Sequence, residues 1–161
     1  MELEIRPLRA DEIEALADAL PAWRGLPLHR ERFDRQESGE ALYLTAWDGP
    51  DPVGHLFLLW QADPFIVEEV PAVPGIGGLN VREDRQSRGI GTALTLEAER
   101  RIVERGERRA ALAVAVDNVR ARDLYDRLGY SVVGRPRRKR SRVPEDPGED
   151  CVVMVKTLVE D

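Results

Sequence analysis

Between residues 76 and 116 the sequence changes period twice, from strand to helix and back, and this constrains the fold more than any other feature of the chain. Residues 76–81 read as a short strand interrupted by Gly77-Gly78, a pair that inside a strand marks a bulge or a close approach to the backbone. A turn rich in arginine and glycine follows. Next comes an amphipathic helix with Ile90, Leu94, Ala98 and Ile102 on one face, closed by Gly106. Residues 110–116 are small and branched apolar side chains without alternation, the pattern of a strand covered on both faces. Strand, helix and buried strand make a right-handed βαβ unit, which sets the chain among α/β proteins.

The remaining elements are read around that unit. Residues 3–8 suit a short edge strand ended by Pro7, and Ile13, Leu16, Ala17 and Leu20 recur at helical spacing from Asp11 until Pro21. Residues 28–37 form a very polar helix candidate after Pro27. Residues 41–47 and 53–60 read as an antiparallel hairpin joined by Asp48-Gly49-Pro50-Asp51-Pro52, and residues 61–75 as an irregular loop. A helix over 119–128 and strands over 130–133 and 151–158 complete the chain. Between those strands lies a loop in which residues 135–142 hold six basic side chains, followed by Glu145, Asp146, Glu149 and Asp150.

Composition excludes several classes. A length of 161 residues, 42% of them hydrophobic and 34% charged, fits one domain with a buried core. No apolar run approaches the roughly 18 residues of a membrane span, and the acidic start Met1-Glu2-Leu3-Glu4 is unlike a signal peptide, so the reading is cytoplasmic with no membrane partner. A net charge of −6 argues against nucleic acid as a partner, and the acids beside the basic run read as a partly self-neutralised loop. The lone Cys151 permits no internal disulfide. His29 and His55, distant in sequence, add little, so no metal site is expected.

The turn before the helix points to phosphate. Gly89 and Gly91 clear side chains from successive backbone N–H groups at a helix start, where the helix dipole adds partial positive charge, and Arg85 and Arg88 supplement it. A simple helix cap would look similar. Two phosphate motifs are absent: no Gly-Lys-Ser/Thr occurs, and Leu94 stands where a dinucleotide fingerprint needs a small residue.

Residue for residue, Gln86-Ser87-Arg88-Gly89-Ile90-Gly91 resembles the acetyl-coenzyme A signature of the GCN5-related N-acetyltransferase (GNAT) family, Gln/Arg-x-x-Gly-x-Gly/Ala. The lead-in Leu79-Asn80-Val81 is also similar to the family's, as is the later block of Asn118, Ala121 and Leu124-Tyr125-Asp126-Arg127-Leu128-Gly129-Tyr130. The resemblance covers essentially the whole chain. It implies a single N-acetyltransferase domain over residues 1–161, with a mixed, mostly antiparallel sheet flanked by helices on both faces. It further implies that the pyrophosphate of acetyl-CoA lies on the amides of Ser87, Arg88, Gly89, Ile90, Gly91 and Thr92, beside Gln86. The pantetheine arm would pair with Leu79, Asn80 and Val81, with Asn118 near the thioester. Tyr125 is the implied acid for the departing sulfur. Helix spacing alone makes Tyr125 a core residue on an apolar face, and makes Asn118 a helix cap.

The expected chemistry is direct attack of a small-molecule primary amine on the acetyl carbonyl in a ternary complex. Family members that acetylate protein amino termini often carry a glutamate on the strand before the asparagine, where this chain has Ala113. Glu68 and Glu69 are the candidate bases left, and with the acids of residues 145–150 they would attract a cationic amine. A non-catalytic acyl-CoA-binding regulator and a basic-loop nucleic-acid binder are the rival readings. A monomer and a homodimer are both open.

Overall fold

The computed structural model describes residues 2–22, 24–141 and 145–160. In chain order they form β1 (Leu3–Pro7), α1 (Ile13–Ala19), α2 (Leu26–Glu37), β2 (Ala41–Asp48), β3 (Asp51–Leu59), α3 (Pro64–Val67), β4 (Gly75–Val81), α4 (Ile90–Glu104), β5 (Arg109–Ala115), α5 (Val119–Arg127), β6 (Ser131–Lys139) and β7 (Glu149–Thr157). Two compact units divide the chain, one built from residues 1–60 and 76–101, the other from residues 61–75 and 102–161.

In the first unit the strands lie in the order β1-β2-β3-β4. β1 and β2 pair antiparallel with Leu3 opposite Asp48, and β2 and β3 pair antiparallel from Ala41 opposite Leu59 to Asp48 opposite Asp51. The hairpin loop is therefore tighter than the five residues expected. Gly49, at φ 59, turns the chain, and a bulge between Ala46 and Trp47 absorbs the twist. α2 also starts earlier than its sequence suggests, because Pro27 sits within the first turn, where a backbone N–H has no helical partner to lose. One apolar cluster joins Leu8 and the α1 face (Ile13, Leu16) to Tyr43, Trp47 and Phe57 of β2 and β3.

Beside this cluster lies a buried polar centre. Burial pushes the Tyr43 phenol up, so it stays protonated and donates to His29 Nδ1 at 2.7 Å, while His29 Nε2–H donates to the Leu20 carbonyl at 2.8 Å. His55 Nδ1–H donates to the Gly78 carbonyl at 2.8 Å, and its buried Nε2 has no partner among the described residues. The histidines, 26 positions apart in sequence, have ring centroids 5.4 Å apart. Separation along the chain says nothing about separation across neighbouring strands.

Burial, with the charge of Arg32, lowers His55 to about 3, and burial lowers His29 as well. Below pH 6.5 the unfolded chain binds protons that native His55 refuses, so stability is full above that pH and falls on acidification. The carboxylates held low by arginines, such as Glu12 and Asp48, start from ordinary values of 4.5 and 3.8, so they act below the histidine window. Between pH 6.5 and 4.5, urea unfolding should show a loss of about 2–3 kcal/mol from His55. His55→Gln should flatten that slope; an equal slope in both proteins would show that His55 is not its source.

In the second unit the strand order is β5-β7-β6, with both pairings antiparallel. The segment 61–75 is more ordered than its glycines and prolines suggest. Asp63 caps α3 by accepting from the Ile66 N–H at 3.2 Å, and Ala62, Ile66, Val70 and Val73 pack with Ala111 and Val153. The basic run is a second correction. Residues 135–139 belong to β6 rather than to a loop, and the register shift between Val133 and Arg137 carries the strand past Gly134, at φ 76. Arg142 lies outside the described residues. Among those described, no helix is long and apolar enough to cross a membrane.

Candidate active site

In the first unit, β4 runs into the signature turn and then α4. Leu79 and Val81 are half-buried and Asn80 is exposed. On β3, Gly54 accounts for this packing: a Cβ there would meet the Asn80 carbonyl at 3.1 Å and the Leu94 and Ile90 side chains at 3.1 and 3.2 Å. The missing side chain lets α4 and β4 close on β3. Gln86 Nε2 donates to the Val81 carbonyl at 3.1 Å, tying the start of the signature back to the end of the strand.

The turn itself alternates in hand. Gln86 is extended at φ −68 and ψ 157, Ser87 is left-handed at φ 65, and Gly89 is left-handed at φ 83. A serine in that region is strained, by about 1 kcal/mol or more, and such residues cluster where function over-determines the backbone. Backbone that alternates hand turns successive N–H groups toward one side, the geometry of an anion nest. Ser87, Arg88 and Gly89 are exposed, and nothing lies within 4 Å of where a Gly89 Cβ would be. The residues present thus fit a pyrophosphate: open amides at the head of the 15-residue helix α4, with the exposed Arg88 alongside. Arg85, expected to assist, is instead paired with Asp48. Behind the turn Ile90, Leu94, Ala98 and Ile102 are all buried, so the helix face holds its start in place.

Asn118 and Tyr125 belong to the second unit, on α5. Asn118 Oδ1 accepts from the Ala121 N–H at 3.2 Å, so it is the helix cap its position suggests. Tyr125 is 5% exposed, with its ring edge-on to Tyr130 at 5.7 Å. No hydrogen bond to its hydroxyl is found among the described residues, and burial is the one influence that acts on its phenol. Burial pushes its phenol up to about 12, so it is protonated throughout the working range.

Neither candidate base stands unpaired. Arg137 donates to Glu69 Oε1 at 2.9 Å and to Glu68 Oε2 at 2.8 Å, lies 4.0 Å over the Phe65 ring, and donates to the Phe65 carbonyl. The Glu69 carboxylate also fills the space where Gly134 lacks a side chain. These acids hold β6 to the α3 segment. Asp150 pairs with Arg138, a further loss to the expected acidic field.

Sequence reading missed Arg32 of α2. Its guanidinium packs against Gly78, and its only cues were a polar helix and a glycine pair within a strand.

The family model for the acetyltransferase (GNAT) family matches residues 9–130. The chain belongs to that family. It is 27% identical to an acetyltransferase of Pectobacterium atrosepticum over 172 aligned positions, covering 99% of this chain and 98% of the relative. It is 33% identical to a mycothiol acetyltransferase of Corynebacterium aurimucosum over 87 residues, which is 54% of this chain but only 27% of that relative's length. Among solved structures, the PaiA N-acetyltransferase of Thermoplasma acidophilum in complex with coenzyme A superposes with a TM-score of 0.69 at 19% identity, covering 98% of this chain and 99% of that one. The fold is that of the acetyl-CoA-dependent N-acetyltransferases.

Proposed function

We propose that this chain is a cytoplasmic enzyme, acting as one domain, that moves the acetyl group of acetyl-CoA to the primary amine of a small molecule by direct attack in a ternary complex. The alternating left-handed backbone at Ser87 and Gly89, open at the head of α4 in a member of this family, carries the reading. The cosubstrate supplies an acetyl thioester. Ser87, Arg88, Gly89, Ile90, Gly91 and Thr92 present amides to its pyrophosphate, Gln86 anchors the turn, Leu79, Asn80 and Val81 pair with its arm, and Asn118 orients its reactive end. Tyr125 donates its phenolic proton toward the departing sulfur.

Deprotonation of the acceptor is left largely to solvent. Ala113 offers no base, and Arg137 holds both Glu68 and Glu69. An alkyl amine with a pKa near 10.4 is then reactive only through its small neutral fraction, so kcat/KM should climb through about pH 8–9. The test is release of free thiol from acetyl-CoA across a panel of small primary amines and short peptides. Turnover of small amines, steepening with pH, supports the reading. Efficient acetylation of peptide amino termini alone, flat with pH, sinks the small-molecule assignment, and binding of acetyl-CoA with no turnover returns the regulator.

A further inference from the structure

Arg32 is a half-buried cation with no carboxylate partner among the described residues. Its Nη1 donates to the Tyr43 hydroxyl at 3.1 Å, and its guanidinium lies 5.3 Å from the centroids of both the Tyr43 and Phe57 rings. A Cβ on Gly78 would stand 2.8 Å from Nη2 and 2.9 Å from both Cζ and Nη1. These distances place the guanidinium in the space that a side chain on Gly78 would occupy. Gly78, at φ 59, is therefore glycine for two reasons: left-handed backbone and a seat for this group.

The surroundings leave the charge unanswered. Glu31 pairs with Arg24, Glu40 with Arg35 and Glu14 with Arg30. The nearest titratable neighbours are the phenol of Tyr43 and the imidazoles of His29 and His55, and the same burial keeps all three uncharged at neutral pH. A cation withdrawn from water without a counter-ion is costly, and a ligand anion would remove the cost. The Tyr43 oxygen satisfies one guanidinium N–H, so the others can serve a ligand.

Position and stoichiometry narrow the ligand. Gly78 is exposed and immediately precedes Leu79, so the guanidinium stands at the head of the segment proposed for the cofactor's arm. Among the described residues packed around this seat, Arg32 is the cation without a carboxylate, since the neighbouring Arg35 is paired with Glu40, and a single planar fork matches a carboxylate rather than a phosphate dianion. We propose that Arg32 is a specificity residue whose guanidinium, seated on Gly78, pairs with a carboxylate borne by the acceptor, making the acceptor an amino carboxylate. This rests on the acetyl-transfer reading above.

The experiment compares free amino acids with their carboxamides as acceptors at saturating acetyl-CoA, in the wild type and in Arg32→Met, which keeps the straight apolar stem. At least one acid should exceed its amide in kcat/KM by about tenfold or more in the wild type. Arg32→Met should raise the KM for that acid by about 10- to 100-fold, leaving the amide and the KM for acetyl-CoA unchanged, and Arg32→Lys should restore part of the preference. Acetylation without preference for the acid, or equal losses for acid and amide in Arg32→Met, overturns the assignment while leaving acetyl transfer standing. No turnover of any amine by a protein that binds acetyl-CoA overturns both.

Discussion

Replacing Tyr125 by Phe should lower turnover by about 100-fold with the melting temperature nearly unchanged. The structure makes that pairing of effects possible. The ring is buried edge-on to Tyr130, which Phe reproduces, while the hydroxyl has no hydrogen bond within the described protein to lose. A typical intramolecular hydrogen bond contributes about 1 kcal/mol to stability, and none is removed here. A positioned proton donor contributes about 10²- to 10⁴-fold to rate. With the phenol pushed up to about 12 it cannot be the group that ionises between pH 7 and 9, so the rise of rate with pH should survive in Tyr125→Phe at a lower plateau. Turnover is to be measured under single-turnover conditions, where product release does not mask chemistry. Unchanged turnover would reduce Tyr125 to packing; a lost pH rise would mean that the hydroxyl, rather than the amine, governs ionisation.

Elements written by local pattern were legible in the sequence. The α4 face of Ile90, Leu94, Ala98 and Ile102 is buried at all four positions, the Asn118 cap stands where it was expected, and the two β-rich runs pair as an antiparallel hairpin. What escaped depends on partners distant in sequence. Residues 135–139 read as a solvated loop because charge and Pro136 hide a strand; its bulge is seated by Glu69, and Arg137 reaches back 68 residues to the same carboxylate. Glu68 and Glu69 looked like free loop carboxylates for the same reason. The polar centre is another such case: His29, Tyr43, His55 and Arg32 come from α2, β2 and β3, and no single window of sequence contains them. The signature was recognisable from residue types, but the left-handed backbone of Ser87 was not, since serine rarely adopts it.

That backbone sets up the second large effect, in which acetyl-CoA at about 100 times its dissociation constant should stabilise the protein by roughly 2.7 kcal/mol and Gly89→Val should abolish the gain. At 161 residues a shift of that size corresponds to several degrees in Tm. Gly89 holds φ 83, and a Cβ there has no non-neighbouring atom of the described residues within 4 Å, so valine would stand in the open space over the amides proposed for the pyrophosphate. A branched residue at that φ also strains the turn by about 1–2 kcal/mol, which lowers the starting Tm and must be separated from the loss of binding. The comparison is therefore between the shifts each protein gains from the cosubstrate, not between their melting temperatures. Desulfo-coenzyme A, which keeps the pyrophosphate and lacks the thioester, should shift the wild type nearly as far as acetyl-CoA does and leave Gly89→Val unmoved. A full shift in Gly89→Val would place the pyrophosphate elsewhere and withdraw the turn from the site.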